Sequence, residues 1–137
     1  MTTIALPPRP PRKRIERDIV REILVALNRI PDVRATRNNV GRIEDSRGVP
    51  VTFGLGEGSP DLVGVITFGG PSHPFAIAFA IEVKQPGRYP TRIQRAWHKV
   101  AARRGMLTET CRDAGEAVDF VTRTIETIGE RIGRWQK

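Results

Sequence analysis

The sequence predicts an α/β fold, a small mixed β-sheet flanked by helices. Three observations predict it. Two apolar runs, 61–68 (DLVGVITF) and 75–84 (FAIAFAIEVK), flank the turn-forming GGPSHP and read as an antiparallel strand pair. Ahead of them Ile15, Ile19, Ile23, Leu27 and Ile30 recur at helical spacing and stop before Pro31. Behind them helical and strand patterns alternate, which requires both element types in one layered domain.

Taken in order, residues 1–14 are basic and Pro-rich (PPRPPRKR) and read as an extended arm before a single domain spanning 15–137. The first helix covers 15–30. Turning about 100° per residue from Ile15, its apolar stripe centres near 80° and Glu16 falls at about 100°, inside it. Glu16 is therefore either an inward-facing acid or a first-turn acid stabilised by the helix dipole. Residues 33–37 suit a short strand. Residues 38–59, rich in Gly, Asn and alternating charges, read as a long loop holding a candidate strand at 49–53.

Within 75–84, Phe75, Ile77, Phe79, Ile81 and Val83 share one face, while Ala76, Ala78, Ala80, Glu82 and Lys84 share the other. A symmetric turn that sets Phe68 against Phe75 also sets Asp61 against Glu82, with Cβ atoms about 4.5–5.5 Å apart. Two carboxylates so placed repel unless a proton or a cation lies between them. Gln85-Pro-Gly-Arg-Tyr-Pro ends the strand, and a helix runs from Thr91 to Arg104 with Gly105 as its C-cap. Residues 106–111 form a strand, and Asp113 with Glu116 has capping-box spacing for a last helix. Val118, Val121, Ile125, Ile128, Ile132 and Trp135 give that helix an apolar stripe, whose C-terminal part from Ile125 through Ile128 and Ile132 to Trp135 is read either as a dimer surface or as core.

Composition narrows the chemistry. One cysteine leaves no disulfide framework and no Cys-based zinc site, and two histidines leave no His-rich cluster. Any metal must be held mainly by oxygen, which points to Mg2+ or Mn2+. No apolar run reaches the roughly 18 residues of a membrane span. The basic N-terminus does not resemble a signal peptide, so a cytoplasmic location and no membrane partner are expected. Lys plus Arg number 23 against 15 acids, a net charge of +8 that favours a polyanion, with nucleic acid ahead of membrane. Arg92, Arg95, Lys99 and Arg103 place like charges along one helix, an arrangement that costs stability without an anion nearby. Arg34, Arg37, Arg42 and Arg47, in and before the Gly-rich segment, are further candidates for DNA contact. His98 is read as a surface residue, and Trp97 and Ala101 as packing on the sheet.

The order helix with Glu16, then Gly58-Ser59-Pro60-Asp61-Leu62, then Ala80-Ile81-Glu82-Val83-Lys84, then Thr91-Arg92-Ile93-Gln94, resembles the PD-(D/E)XK nuclease superfamily and in detail its VRR-NUC branch. The resemblance covers roughly residues 15–120. It implies a restriction-endonuclease-like sandwich and metal-dependent endonuclease activity on DNA. It also implies metal ligation by Asp61, Glu82, the Val83 carbonyl and Glu16, with Lys84 and Gln94 completing the catalytic set. Small stand-alone relatives resemble Holliday-junction resolvases, so branched DNA and a homodimer making paired incisions are expected.

Each motif also has a plain reading. Pro60-Asp61 is common turn chemistry, Glu82 with Lys84 can be a surface pair, and Thr91 with Gln94 is a capping box in its own right. Two other functions fit the same residues: a non-catalytic DNA-binding subunit of a replication or packaging machine, and a restriction-type enzyme acting on duplex sequence.

Overall fold

The structure is a computed structural model that describes residues 15–135. The basic arm expected over residues 1–14 lies outside the described residues. In chain order the elements are α1 (Glu16–Leu27), β1 (Val33–Arg37), β2 (Gly41–Glu44), β3 (Pro50–Phe53), β4 (Leu62–Phe68), β5 (Phe75–Val83), α2 (Arg92–Arg103), β6 (Leu107–Cys111) and α3 (Ala114–Trp135). Strands β1, β4, β5 and β6 form one sheet in that order, antiparallel except for the parallel pair β5–β6. Parallel neighbours need a long crossover, and α2 supplies it. The fold is thus mixed α/β, a small mixed sheet flanked by helices. Among the described residues no helix is long and apolar enough to cross a membrane.

The core lies on one face of the sheet. Ile19, Ile23 and Leu27 of α1 and Ala117 and Val121 of α3 pack on Leu62, Ile66, Phe79, Ile81 and Val83. This is the face that alternation along β5 assigns to Phe79, Ile81 and Val83. Gly64 on β4 lies beneath the Phe79 ring and beside the Arg34 carbonyl, so any side chain there would run into both. The opposite face is floored by Val63, Val65, Ala76, Ala78 and Ala80, and carries Asp61 and Glu82 at its end.

Chain ends and turns follow local chemistry. Helix α1 is shorter than the apolar periodicity predicts, because Ile15 is its N-cap and Ile30 lies past its end. The Asp18 carboxylate accepts the Ile15 N–H at 3.2 Å, closing the first turn. Asn28 then links α1 to β1, donating to the Ala35 carbonyl at 3.0 Å and accepting its N–H at 2.9 Å. Gly105 follows α2 with φ 94, the left-handed geometry that a C-terminal glycine allows. At α3, Asp113 accepts the Glu116 N–H at 2.8 Å, while Glu116 reaches back to the Arg112 N–H at 2.7 Å.

Two expectations change. Residues 38–59 are no open loop, since β2 pairs antiparallel with β3 from Gly41↔Phe53 to Glu44↔Pro50. Short, polar and largely exposed, Gly41–Glu44 shows no alternation, and only its partner makes it a strand. In α3, Ile125 packs against the core, which removes it from the candidate dimer surface, whereas Ile128 and Ile132 lie beyond and are half-buried. The side chain of Trp135 is outside the described residues.

Register is the feature that matters most for the site. Strands β4 and β5 pair from Phe68↔Phe75 to Leu62↔Ile81, as the symmetric turn predicts. One step further along the same ladder stand Asp61 and Glu82. Gly64→Ala should cost about 1–3 kcal/mol of stability through overpacking, read as a lower urea midpoint. Adding Phe79→Leu should recover only part of that loss, because the Arg34 carbonyl cannot move aside. An unchanged midpoint in Gly64→Ala would contradict this packing.

Candidate active site

Asp61 enters the site from a segment tied down on several sides. Its own carboxylate accepts the Val83 N–H at 2.7 Å, clipping the start of β4 to the end of β5. Behind it Asn38 donates to Ser59 Oγ and to the Pro60 carbonyl, both at 2.8 Å, and accepts the Leu55 N–H at 3.2 Å. The Asn38 N–H donates to the Asp61 carbonyl, also at 2.8 Å. Gly58 has φ 78 and lies against Ile93 of α2, so a side chain there would separate this segment from the helix.

Glu82 is the only charged or polar residue fully buried among the described residues, at 2% exposure. Its Oε1 accepts from Gln94 Nε2 at 2.7 Å and stands 3.4 Å from Lys84 Nζ. The Gln94 side chain serves two purposes at once. Its Oε1 accepts the Thr91 N–H at 2.8 Å, closing the capping box, while its amide nitrogen holds Glu82. The capping role and the bracing role, separate alternatives in the sequence, coexist in one amide.

On the other side, Glu82 Oε2 lies 3.9 Å from His98 Nε2. Both atoms are cut off from solvent and have no hydrogen-bond partner. His98 is therefore not the surface residue the sequence suggests. It follows Gln94 by four residues, so one face of α2 presents both side chains to the same carboxyl. Trp97 is half-buried and meets the His98 ring edge-on at 5.8 Å.

The electrostatics follow from this burial. Desolvation and the neighbouring charge of Asp61 push the Glu82 carboxyl up to about 8, against the opposing pull of Lys84. Burial also holds the His98 imidazole below its usual range, despite the nearby charges of Asp61 and Glu109. Without a cation, Glu82 thus tends to keep a proton at neutral pH, as expected of two facing carboxyls.

The remaining predicted residues lie at different distances from this pair. Glu16 lines a cleft of about 570 Å³ together with Lys84, Arg17, Arg88 and Tyr89. It does not join Asp61 and Glu82 in a three-acid cluster, for among the described residues no group of three or more His, Cys, Asp or Glu could hold a metal ion. Arg37 borders a small polar pocket with Asn38, Ser59 and Asp61, and Arg34 opens onto the sheet face that bears the acids. Arg92, Arg95, Lys99 and Arg103 are all exposed along α2. Arg42 is exposed on β2. Arg47 is already engaged, its guanidinium 3.0 Å from Asp45. Hydrogen bonds from the Val49 backbone, and then from Arg47, hold that Asp45 carboxyl below its usual range.

Two contributors were not legible beforehand. His98 had a signal in its helical spacing from Gln94. Asn38 had none, because its partners lie 17–23 residues along the chain. Compared with family models, curated proteins and solved structures, the chain gives no match.

The raised carboxyl has a consequence for stability. Glu82 binds its proton more tightly in the folded chain (about 8) than at its ordinary value of 4.5, so its contribution is full below the lower value and declines as pH rises through the higher. In EDTA the melting temperature should fall as pH rises across that window. Glu82→Gln should flatten the slope and melt higher than the parent at the alkaline end. Parallel pH profiles for the two proteins would refute the assignment.

Proposed function

We propose that this chain is a divalent-metal-dependent DNA endonuclease with a restriction-endonuclease-like fold, as its resemblance to the VRR-NUC branch implies. The observation that carries this reading is Glu82, a carboxyl at 2% exposure, next in register to Asp61 and contacted by Lys84 and Gln94. A buried acid beside a second acid is costly to a protein that has no use for it.

The residues suit a hard cation. Asp61 and Glu82 are oxygen donors on one sheet face, and Glu82 Oε2 is a buried acceptor without a hydrogen-bond partner. Asp61, Glu82 and the Val83 carbonyl would hold Mg2+ or Mn2+, with Glu16 contributing from the cleft wall through water. When bound, the ion supplies Lewis-acid charge at the phosphate and a more acidic water. The protein's own groups do the rest. Gln94 fixes Glu82 by one oxygen and leaves the other turned inward. Lys84 presents an ammonium group on the same side as the acids, where it can offset charge on the phosphoryl oxygens or orient the attacking water.

For DNA, the exposed row Arg92, Arg95, Lys99 and Arg103 lies on the helix that braces the site, with Arg34 and Arg37 on the opposite flank. Contacts of this type give affinity that is insensitive to sequence and strongly weakened by salt. Branched DNA is the proposed substrate, with four-way junctions resolved by a symmetric pair of chains, each making one incision. Ile128 and Ile132 are what remains of the candidate dimer surface.

Cleavage assays decide among the three functions. Four-way junction, flap, single-stranded and plain duplex DNA are each incubated with Mn2+, Mg2+ or EDTA. Nicking should require a divalent ion and fall by at least about 100-fold in Lys84→Ala, with a comparable loss in Asp61→Ala and binding retained. Tight binding with no cutting under any metal would leave a non-catalytic module. Discrete fragments from plain duplex would instead identify a restriction-type enzyme.

A further inference from the structure

The loop leaving the acid-bearing strand carries the chain's one tyrosine, exposed on a backbone that is tied down on both sides. Tyr89 is 75% exposed. Both flanking carbonyls are nevertheless tied down by guanidinium groups. The Arg88 carbonyl accepts from Arg112 Nη2 at 2.9 Å, and the Pro90 carbonyl accepts from Arg95 Nη1 at 2.6 Å. The preceding turn is closed by the Arg88 N–H on the Gln85 carbonyl at 3.0 Å. The Arg112 guanidinium also lies over the tyrosine ring, 5.4 Å from its centroid, and its backbone N–H is anchored on Glu116 at 2.7 Å. The ring borders the same cleft as Glu16 and Lys84.

We infer that Tyr89 is a stacking platform for an unpaired nucleobase next to the phosphate presented to Lys84, so that the site takes DNA with a single-stranded segment in preference to plain duplex. This rests on the nuclease reading for the nature of the ligand and goes beyond it in naming how branched DNA is told from duplex. The physical reasons are three. An exposed aromatic ring on a restrained backbone, with few side-chain torsions of its own, loses less conformational freedom on binding than one on a free loop, so more of its contact area converts into affinity. A cation on one side of the ring leaves the other side for a second flat π-system. Inside a duplex both faces of every base are covered by its neighbours, whereas a base at a branch or flap can offer a face. The phosphates flanking such a base would lie between Lys84 and Arg88, in the cleft that Ile15 and Arg17 also line.

The test measures binding by the full chain in EDTA, where no cutting intervenes. Fluorescence anisotropy is recorded at fixed salt with a labelled single strand, a flap and a plain duplex of equal length. The parent protein should bind the first two more tightly than the third. Tyr89→Ala should weaken them by about 5- to 100-fold and leave the duplex unchanged, with Tyr89→Phe behaving as the parent. 2-Aminopurine placed in the single strand should be quenched by the parent and not by Tyr89→Ala. Equal losses on all three DNAs, no loss on any, or quenching that survives Tyr89→Ala would overturn the proposal. Because Tyr89 is mostly exposed, its removal does not challenge folding. Cutting that needs Asp61 and Lys84, combined with full single-strand affinity in Tyr89→Ala, would defeat the stacking role alone. Tyr89-dependent quenching without cutting under any metal would defeat the nuclease reading alone and uphold the platform.

Discussion

Burying Glu82 is the constraint on which the rest of this molecule depends. A carboxyl taken out of water must be hydrogen-bonded, paired or protonated, and here each remedy is applied in part. Gln94 donates to one oxygen, Lys84 stands 3.4 Å from it, and the opposing Asp61 pushes the group toward its protonated form. The second oxygen, facing His98, has no such partner. In the proposed function, a divalent cation would supply the partner that this oxygen lacks.

The two faces of the sheet divide the work. Large apolar side chains on one face, clamped by α1 and α3, supply the stability. On the other face small residues clear a floor, and the acids stand at its end beneath α2. Helix α2 has no buried residue of its own, so it contributes little core. Its value lies near its start, where Gln94, held by the Thr91 cap, donates to one oxygen of Glu82 while the His98 imidazole faces the other. The basic residues Arg92, Arg95, Lys99 and Arg103 are exposed on the same helix. In the proposed function, one helix thus serves both phosphate binding and phosphate cleavage.

The support of Asp61 is of a different kind. It comes from backbone atoms, through the Val83 N–H in front and the Asn38 network behind. Backbone donors are held by the sheet itself, so the carboxylate is positioned without long, flexible side chains. Gly58 permits the close approach of this segment to α2, joining the two acids' supports into one rigid unit.

Periodicity and register are local properties, and the sequence by itself determined whatever they control. Alternation along 75–83 separated the core face from the acid face, turn symmetry set Asp61 against Glu82, and caps such as Gly105 and Asp113 marked where helices begin and end. Tertiary structure alone decided what depends on contacts between distant segments. Strand β2 exists because β3 pairs with it, Asn38 matters because Ser59 and Pro60 fold back onto it, and the half-buried His98 ring faces inward because α2 lays it against Glu82. The physical reason is the range of the forces involved. Backbone geometry and side-chain alternation act over a few residues, whereas burial, which raises the affinity of Glu82 for its proton and turns His98 inward, arises only after the whole chain has packed.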